Sequence, residues 1–221
     1  MNLSKQQSNY IKIIAMATMF IDHAGIILFP QYPVLHMIGR IAFPLFAYQI
    51  GIGVSHTRNV KKYFWRLFIF GLIIQTFYIF AAKFINEDPK MLNIFFTLAL
   101  GLIAIVAYEK KWYILTVLAI IVPLITELFG VTIDYGTYGV LLILGMYIFR
   151  ENFRNLMIFT VALTAITCAI WQNPIQMCAV FALIFIWKPV SVKISIHWTF
   201  FYLFYPVHFV ILQLVSSLHI F

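Results

Sequence analysis

The sequence predicts an all-α, polytopic membrane protein: a bundle of about nine transmembrane helices, N-terminus inside and C-terminus outside. Three observations predict it. Hydrophobic residues make up 63% of the 221 and charged residues only 10%, with a mean hydropathy of +0.96, a balance that no water-soluble domain of this size needs. Apolar stretches of about 20 residues, long enough to cross a hydrocarbon core of roughly 30 Å as helices, recur from end to end. Lys and Arg fall overwhelmingly on one side of the resulting alternation.

The first span, 10 to 30, follows a polar start from Ser4 to Asn9 and closes at Pro30. It superficially resembles a signal peptide. It is too long for one, contains Asp22 and His23, and lacks a small-residue cleavage site, so it is expected to be retained. The second span, 34 to 57, opens after Pro33, and the third, 62 to 85, ends at the break from Asn86 to Pro89. Spans 91 to 108, 112 to 129 and 133 to 149 follow. The pair 154 to 170 and 174 to 187 flanks Gln172-Asn173-Pro174 and is either a re-entrant hairpin or two tilted helices. Beyond Lys188-Pro189 the last span runs from 197 to 219. The intervening loops are too short for a soluble domain, so residues 1–221 are read as a single transmembrane domain.

Short positively charged loops stay cytoplasmic. With the N-terminus inside, the inner face receives Lys5, Lys12, Arg58, Lys61, Lys62, Arg66, Lys110, Lys111, Arg150, Arg154, Lys188 and Lys193, twelve of the fifteen basic residues. Lys83 and Lys90 fall outside, flanking Glu87 and Asp88, and Arg40 lies within a span. Topology thus accounts for the net charge of +8 better than nucleic acid, for which a longer basic run with interleaved aromatics is expected. Cys168 and Cys178 show no CxxC spacing, which points to two core cysteines without a zinc site or disulfide framework. No internal repeat is found, and an odd helix count argues against a transporter made of two equal halves.

Charge held in hydrocarbon costs several kcal/mol unless it is paired or reached by water, so ionisable groups at membrane depth are functional candidates. Asp22 and His23 sit just past the middle of the first span, but neighbouring helix positions point about 100° apart, so the two need not bond each other. His36 and Arg40 share a face of the second span and can meet Asp22 across the turn. Asn93 and Asp134 open the fourth and sixth spans, Gln75 and Tyr78 lie in the outer half of the third, and Glu127 ends the fifth. On the last span Tyr205 and His208 share a face, and Pro206 removes one backbone hydrogen bond.

Structural readings stand beside these. Asp22, His23 and Arg40 can be an ion-paired joint between helices, and His208 a helix-to-helix hydrogen-bond donor. Glu127, Asp134 and His36 lie near enough to the outer interface to be solvated, and Lys12, Arg58, Lys61 and Lys62 suit lipid headgroups. His197 and His219, at the ends of the last span, suggest no chemistry. Trp65, Trp112, Trp171, Trp187 and Trp198 form the aromatic belt expected near span ends.

Six strings carry a further signal: TMFIDHAGIILFP (18 to 30), IGRIAFPLFAYQIGIGVSHTRN (38 to 59), YFWRLFIFGLIIQ (63 to 75), LNIFFTLALG (92 to 101), DYGTYGVLLIL (134 to 144) and FYLFYPVH (201 to 208). In that order and spacing the chain resembles the TraX family of membrane proteins, named for a conjugative pilin acetylase. The resemblance covers nearly the whole chain. It implies a multi-pass acyltransferase of the bacterial plasma membrane that moves an acetyl or short acyl group from cytoplasmic acetyl-CoA to an acceptor outside, without a metal. That acceptor is expected to be a pilin, lipoprotein, peptide or glycan, and the surroundings are membrane lipids rather than nucleic acid. The family motifs fall on Asp22 and His23, Gly39 and Arg40, Pro44, His56 to Arg58, Asn93 and Thr97, Asp134, Tyr135 and Gly139, and Tyr205, Pro206 and His208.

On that resemblance His23 is expected to act as general base or transient acyl carrier, with Asp22 orienting or charging it and His208 as the alternative base. Arg40, Asn93 and Tyr205 are expected to stabilise the oxyanion. Arg58, Lys61, Lys62 and Arg66 are expected to attract the CoA phosphates while the pantetheine arm threads toward mid-membrane. The rival classes are a transporter or proton relay built on the same buried groups, and a scaffold for secretion or pilus assembly.

Overall fold

The computed structural model describes residues 3–85, 90–193 and 197–218, with side chains described for all of these except 80–85 and 198. Among the described residues the chain is helical, with one isolated parallel bridge pairing Leu92 and Ile133. The helices are α1 (Lys5–Ile27), α2 (Pro33–Gly39), α3 (Ala42–His56), α4 (Val60–Ile85), α5 (Ile94–Glu109), α6 (Tyr113–Leu128), α7 (Gly136–Ile148), α8 (Phe153–Trp171), a 3-10 helix (Pro174–Phe181), α9 (Ala182–Trp187) and α10 (Trp198–Ser217).

Local chemistry sets the ends. α1 starts earlier than its apolar pattern predicts because Ser4 and Gln7 form a capping box, in which each side chain accepts from the other's backbone N–H. The second predicted span breaks after Gly39. Pro44 has no N–H to give to the Arg40 carbonyl four residues back, and its ring crowds that carbonyl, so the helix restarts at Ala42. Arg40 is therefore the last residue before a discontinuity. α7 likewise begins at Gly136 rather than at Asp134, because Tyr135 is left-handed with φ 58°.

Among the described residues, four segments are long and apolar enough to cross a membrane: Lys5–Ile27, Pro33–His56 taken through its break, Phe153–Trp171 and Thr199–Ser217. α5, α6 and α7, at 16, 16 and 13 residues, rise about 1.5 Å per residue and fall short of a roughly 30 Å core. Ile114, Leu128, Phe129 and Ile170 are each 73% exposed or more, an arrangement that needs lipid rather than water as solvent. The protein is a membrane protein. Lys110 and Lys188 lie over the rings of Trp112 and Trp187 at 4.6 and 4.7 Å, the pairing of cation and indole that suits an interface. The expectations for Lys83, Glu87, Asp88 and His219 concern positions outside the described residues or side chains.

The helices gather into two compact units, one of residues 1–49 and 150–221, the other of residues 50–149, with the boundary inside α3. In the first, α1 packs on α2 and α10, while the 3-10 helix packs on α2, α8 and α9. Small residues allow the α1 to α2 approach: a Cβ on Gly25 would stand 2.7 Å from Leu35 Cβ. In the second unit α5 is central, touching α4, α6 and α7, and its Gly101 fits against Ile143, whose Cδ1 would lie 2.5 Å from an added Cβ. Leu102, Ile105, Leu142, Ile143 and Met146 fill that core.

Candidate functional site

Asp22 and His23, successive residues of α1, face different helices, as their roughly 100° separation requires. Asp22 turns toward α2. Its Oδ1 stands 2.6 Å from His36 Nδ1 and its Oδ2 accepts from Arg40 Nη2 at 3.0 Å. The other arm of the guanidinium, Nη1, donates to Gln176 Oε1 at 3.4 Å, from a glutamine fully buried on the 3-10 helix. The geometry follows from the sequence: His36 and Arg40 are four apart and share a face, and Gly39 between them leaves room for the Asp22 side chain. The expected meeting of Asp22, His36 and Arg40 across the turn is what forms.

His23 turns instead toward α10. Its Nδ1 lies 2.6 Å from Nε2 of His208, a residue only 2% exposed. The rings are within 3° of parallel and their centroids 4.9 Å apart. With ring nitrogens already 2.6 Å apart, that separation means the rings lie edge to edge in one plane, as in a linear N–H···N bond, not face to face.

Hydrogen placement follows from the third group in line. His208 Nδ1 stands 2.6 Å from the Phe204 carbonyl oxygen, which can only accept, so Nδ1 carries a hydrogen. In the neutral ring Nε2 is then the acceptor, and His23 Nδ1 must donate to it. The consequence is specific: in the neutral pair His23 Nε2 holds the bare lone pair. Tyr205 and Phe209 set their rings edge-on to His23 at 6.3 and 5.7 Å, while Phe20 and Phe204 flank His208 at 6.3 and 4.9 Å. Arg40, His36 and His208 all lie within electrostatic reach of His23.

The expected orientation of His23 by Asp22 is corrected by these contacts. Asp22 is engaged by His36 and Arg40 on one side of α1, whereas the partner that fixes the His23 ring is His208 on another. Gln176, absent from the sequence expectations, closes the Arg40 side. The available signal was a lone glutamine just after Pro174 in an apolar run.

The second unit holds a different polar cluster. Asn93 caps α5 by accepting from Phe95 N at 3.1 Å, and its amide nitrogen donates to the Gly71 carbonyl at 2.9 Å and Gln75 Oε1 at 3.0 Å. Both amide hydrogens are thereby used, so Asn93 ties α4 to α5 and has none left for an oxyanion. Gln75 Nε2 in turn donates to the Met91 carbonyl at 2.9 Å, and the Thr97 hydroxyl donates to the Asp134 carbonyl. Arg58, Lys61 and Lys62 are exposed at the start of α4, where Asn59 Oδ1 accepts from Lys62 N at 2.9 Å. Arg66, half-buried, lies 5.6 Å from the centre of the Tyr63 ring. Among the described residues no group of three or more His, Cys, Asp or Glu could hold a metal ion.

The model of the family described as TraX protein matches residues 7–216. The chain is similar to a probable fimbrial assembly protein FimC, serogroup H1, of Dichelobacter nodosus, 32% identical over 148 residues, which cover 59% of this chain and 57% of that one. It is also similar to an uncharacterized protein of Rickettsia prowazekii (strain Madrid E), 31% identical over 80 residues, 35% of this chain and 30% of the relative. The matched parts therefore span less than two thirds of those relatives' own lengths. No solved structure matches the chain.

Proposed function

Because the chain belongs to the TraX family, we propose that it is a membrane acyltransferase that transfers an acetyl or short acyl group from cytoplasmic acetyl-CoA to an extracytoplasmic acceptor such as a protein or peptide N-terminus. The observation that carries this reading is the ordered pair of imidazoles, anchored at the Phe204 carbonyl and ending in a bare Nε2 on His23. A base is useful only if its lone pair is aimed and its tautomer fixed, and this chain of bonds does both.

In this reading His23 Nε2 removes the proton from the acceptor amine or hydroxyl. The freed lone pair attacks the thioester carbonyl, the C–S bond breaks, and the CoA sulfur leaves with the proton that His23 returns. His208 is a positioning residue that holds the tautomer. Tyr205, beside both imidazoles, supports the oxyanion. Asp22, His36, Arg40 and Gln176 lock α1, α2 and the 3-10 helix so that His23 is held in place. Arg58, Lys61, Lys62 and Arg66 bind the CoA phosphates, a role that rests on their charge alone. The TraX family match supports a bacterial plasma membrane location, and the twelve basic residues that the alternation assigns to one side support an N-terminus inside.

A scaffold for pilus assembly is the second reading, favoured by the name of the Dichelobacter nodosus relative. Purified protein in detergent, incubated with radiolabelled acetyl-CoA and candidate acceptor peptides, separates the two. Acetyl-CoA-dependent labelling that His23→Ala abolishes, with expression unchanged, supports catalysis. Absence of acetyl-CoA binding together with full pilus assembly by His23→Ala and His208→Ala supports the scaffold.

A further inference from the structure

A groove of about 480 Å³ runs between α1 and α10, lined by Ile13, Met16, Ala17 and Phe20 on one helix and by Phe200 and Phe204 on the other, with Ile21 completing it. All of its lining side chains are apolar, and Ala17, Phe20 and Phe200 are exposed, so it opens sideways from helices of membrane-crossing length. One end is charged. Lys12 directly precedes Ile13, and its ammonium sits 5.0 Å over the ring of Phe201, the neighbour of Phe200. Lys5, seven residues earlier on α1, is within electrostatic reach of Lys12. At the other end Phe20 and Phe204 pack on the His208 ring.

We propose that this groove is a lipid site: it holds one acyl chain of an anionic phospholipid whose phosphate pairs with Lys12. Apolar walls match a hydrocarbon chain. They do not match a pantetheine arm, whose amides would be left without hydrogen-bond partners there. Two lysines at one end favour a lipid with net negative charge over a zwitterion, and the half-buried Lys12, one residue before the groove's Ile13, is long enough to reach a headgroup from there. From Lys12 to Phe20 the helix rises roughly 12 Å, the depth of a leaflet's apolar half rather than of a headgroup layer. The site is independent of acyl transfer, so it stands or falls separately from the proposed activity.

Native mass spectrometry of the detergent-purified protein with phosphatidylglycerol and phosphatidylcholine of identical chains tests it. Phosphatidylglycerol is expected to be retained about five-fold more, the factor that one lysine contributes near an anionic surface. Lys12→Gln is expected to remove most of that preference, leaving only what the more distant Lys5 contributes. Ala17→Phe, at an exposed position where a larger apolar residue is tolerated, is expected to fill the groove and remove retention of both lipids, with size-exclusion behaviour unchanged. Equal retention of the two lipids by the unaltered protein overturns the proposal. So does full retention by Ala17→Phe. Displacement of the lipid by glycerol 3-phosphate reduces the site to a phosphate contact, and displacement by acetyl-CoA makes the groove a donor channel; either outcome also overturns it.

Discussion

His23 and His208 share a single hydrogen across 2.6 Å in nearly coplanar rings, and the Phe204 carbonyl decides which way it points. The arrangement makes the two histidines unequal. His23→Ala removes the aimed lone pair and is expected to lower acetyl transfer by about 10²- to 10⁴-fold, the usual contribution of a positioned base. His208→Ala leaves the base but frees its ring and tautomer, so its loss should be smaller. Turnover of radiolabelled acetyl-CoA ranks the variants. Nitrogen NMR of histidine-labelled protein reads the tautomers directly: a protonated His23 Nε2 at neutral pH contradicts the assignment.

Asp22 and Arg40 form a buried ion pair, with side chains 10% and 15% exposed. Such a pair adds little net stability against apolar replacements, but removing one member strands the other's charge, at about 3–5 kcal/mol. Asp22→Asn and Arg40→Gln are each expected to lower the melting temperature in detergent sharply. The double variant should recover part of the loss because no charge is then stranded. Additive losses in the double variant would mean the two residues act apart.

Gly39→Ala tests the same joint through packing instead of charge. A Cβ there would fall 2.2 Å from both Cγ and Oδ1 of Asp22, an overlap that no rotamer of alanine relieves. The carboxylate must move, with a destabilisation of about 1–3 kcal/mol or more and a loosened Arg40 contact. A melting temperature equal to that of the unaltered protein would show that α1 and α2 do not meet as described.

Much of this arrangement is legible in the sequence, for identifiable reasons. The apolar helices are visible because lipid demands length and hydropathy, but the expected nine crossings go beyond the four segments that are long and apolar enough among the described residues. The meeting of Asp22 with His36 and Arg40 follows from helical spacing and a short turn between the first two spans. The break after Gly39 was equally available, since Pro44 forbids the Arg40 carbonyl its usual partner, but apolar continuity from 34 to 57 hides it. The split between Asp22 and His23 was foreseeable only as a possibility, because periodicity gives the angle between two side chains and not which helix each meets. The partner of Gln176 is hidden for a related reason. Nothing local to a 3-10 helix says that its one buried amide reaches an arginine 136 residues away in sequence.

Asn93 gives the sharpest separation of structural from chemical roles. Its side chain accepts from Phe95 N and donates to Gly71 and Gln75, so Asn93→Ala loses a helix cap, at about 1 kcal/mol, and both donated side-chain bonds to α4, while Gln75 Oε1 keeps the backbone N–H of residue 93. Asn93→Asp keeps the cap acceptor and loses the two donated bonds, so it should cap α5 yet loosen α4. Both variants are expected to melt lower. Their turnover per folded molecule should match the unaltered protein, because no amide hydrogen of Asn93 is available to a reacting oxygen. A fall of 10²-fold or more in turnover at unchanged folded fraction is the size of effect an oxyanion donor produces, and it would place Asn93 in the chemistry after all.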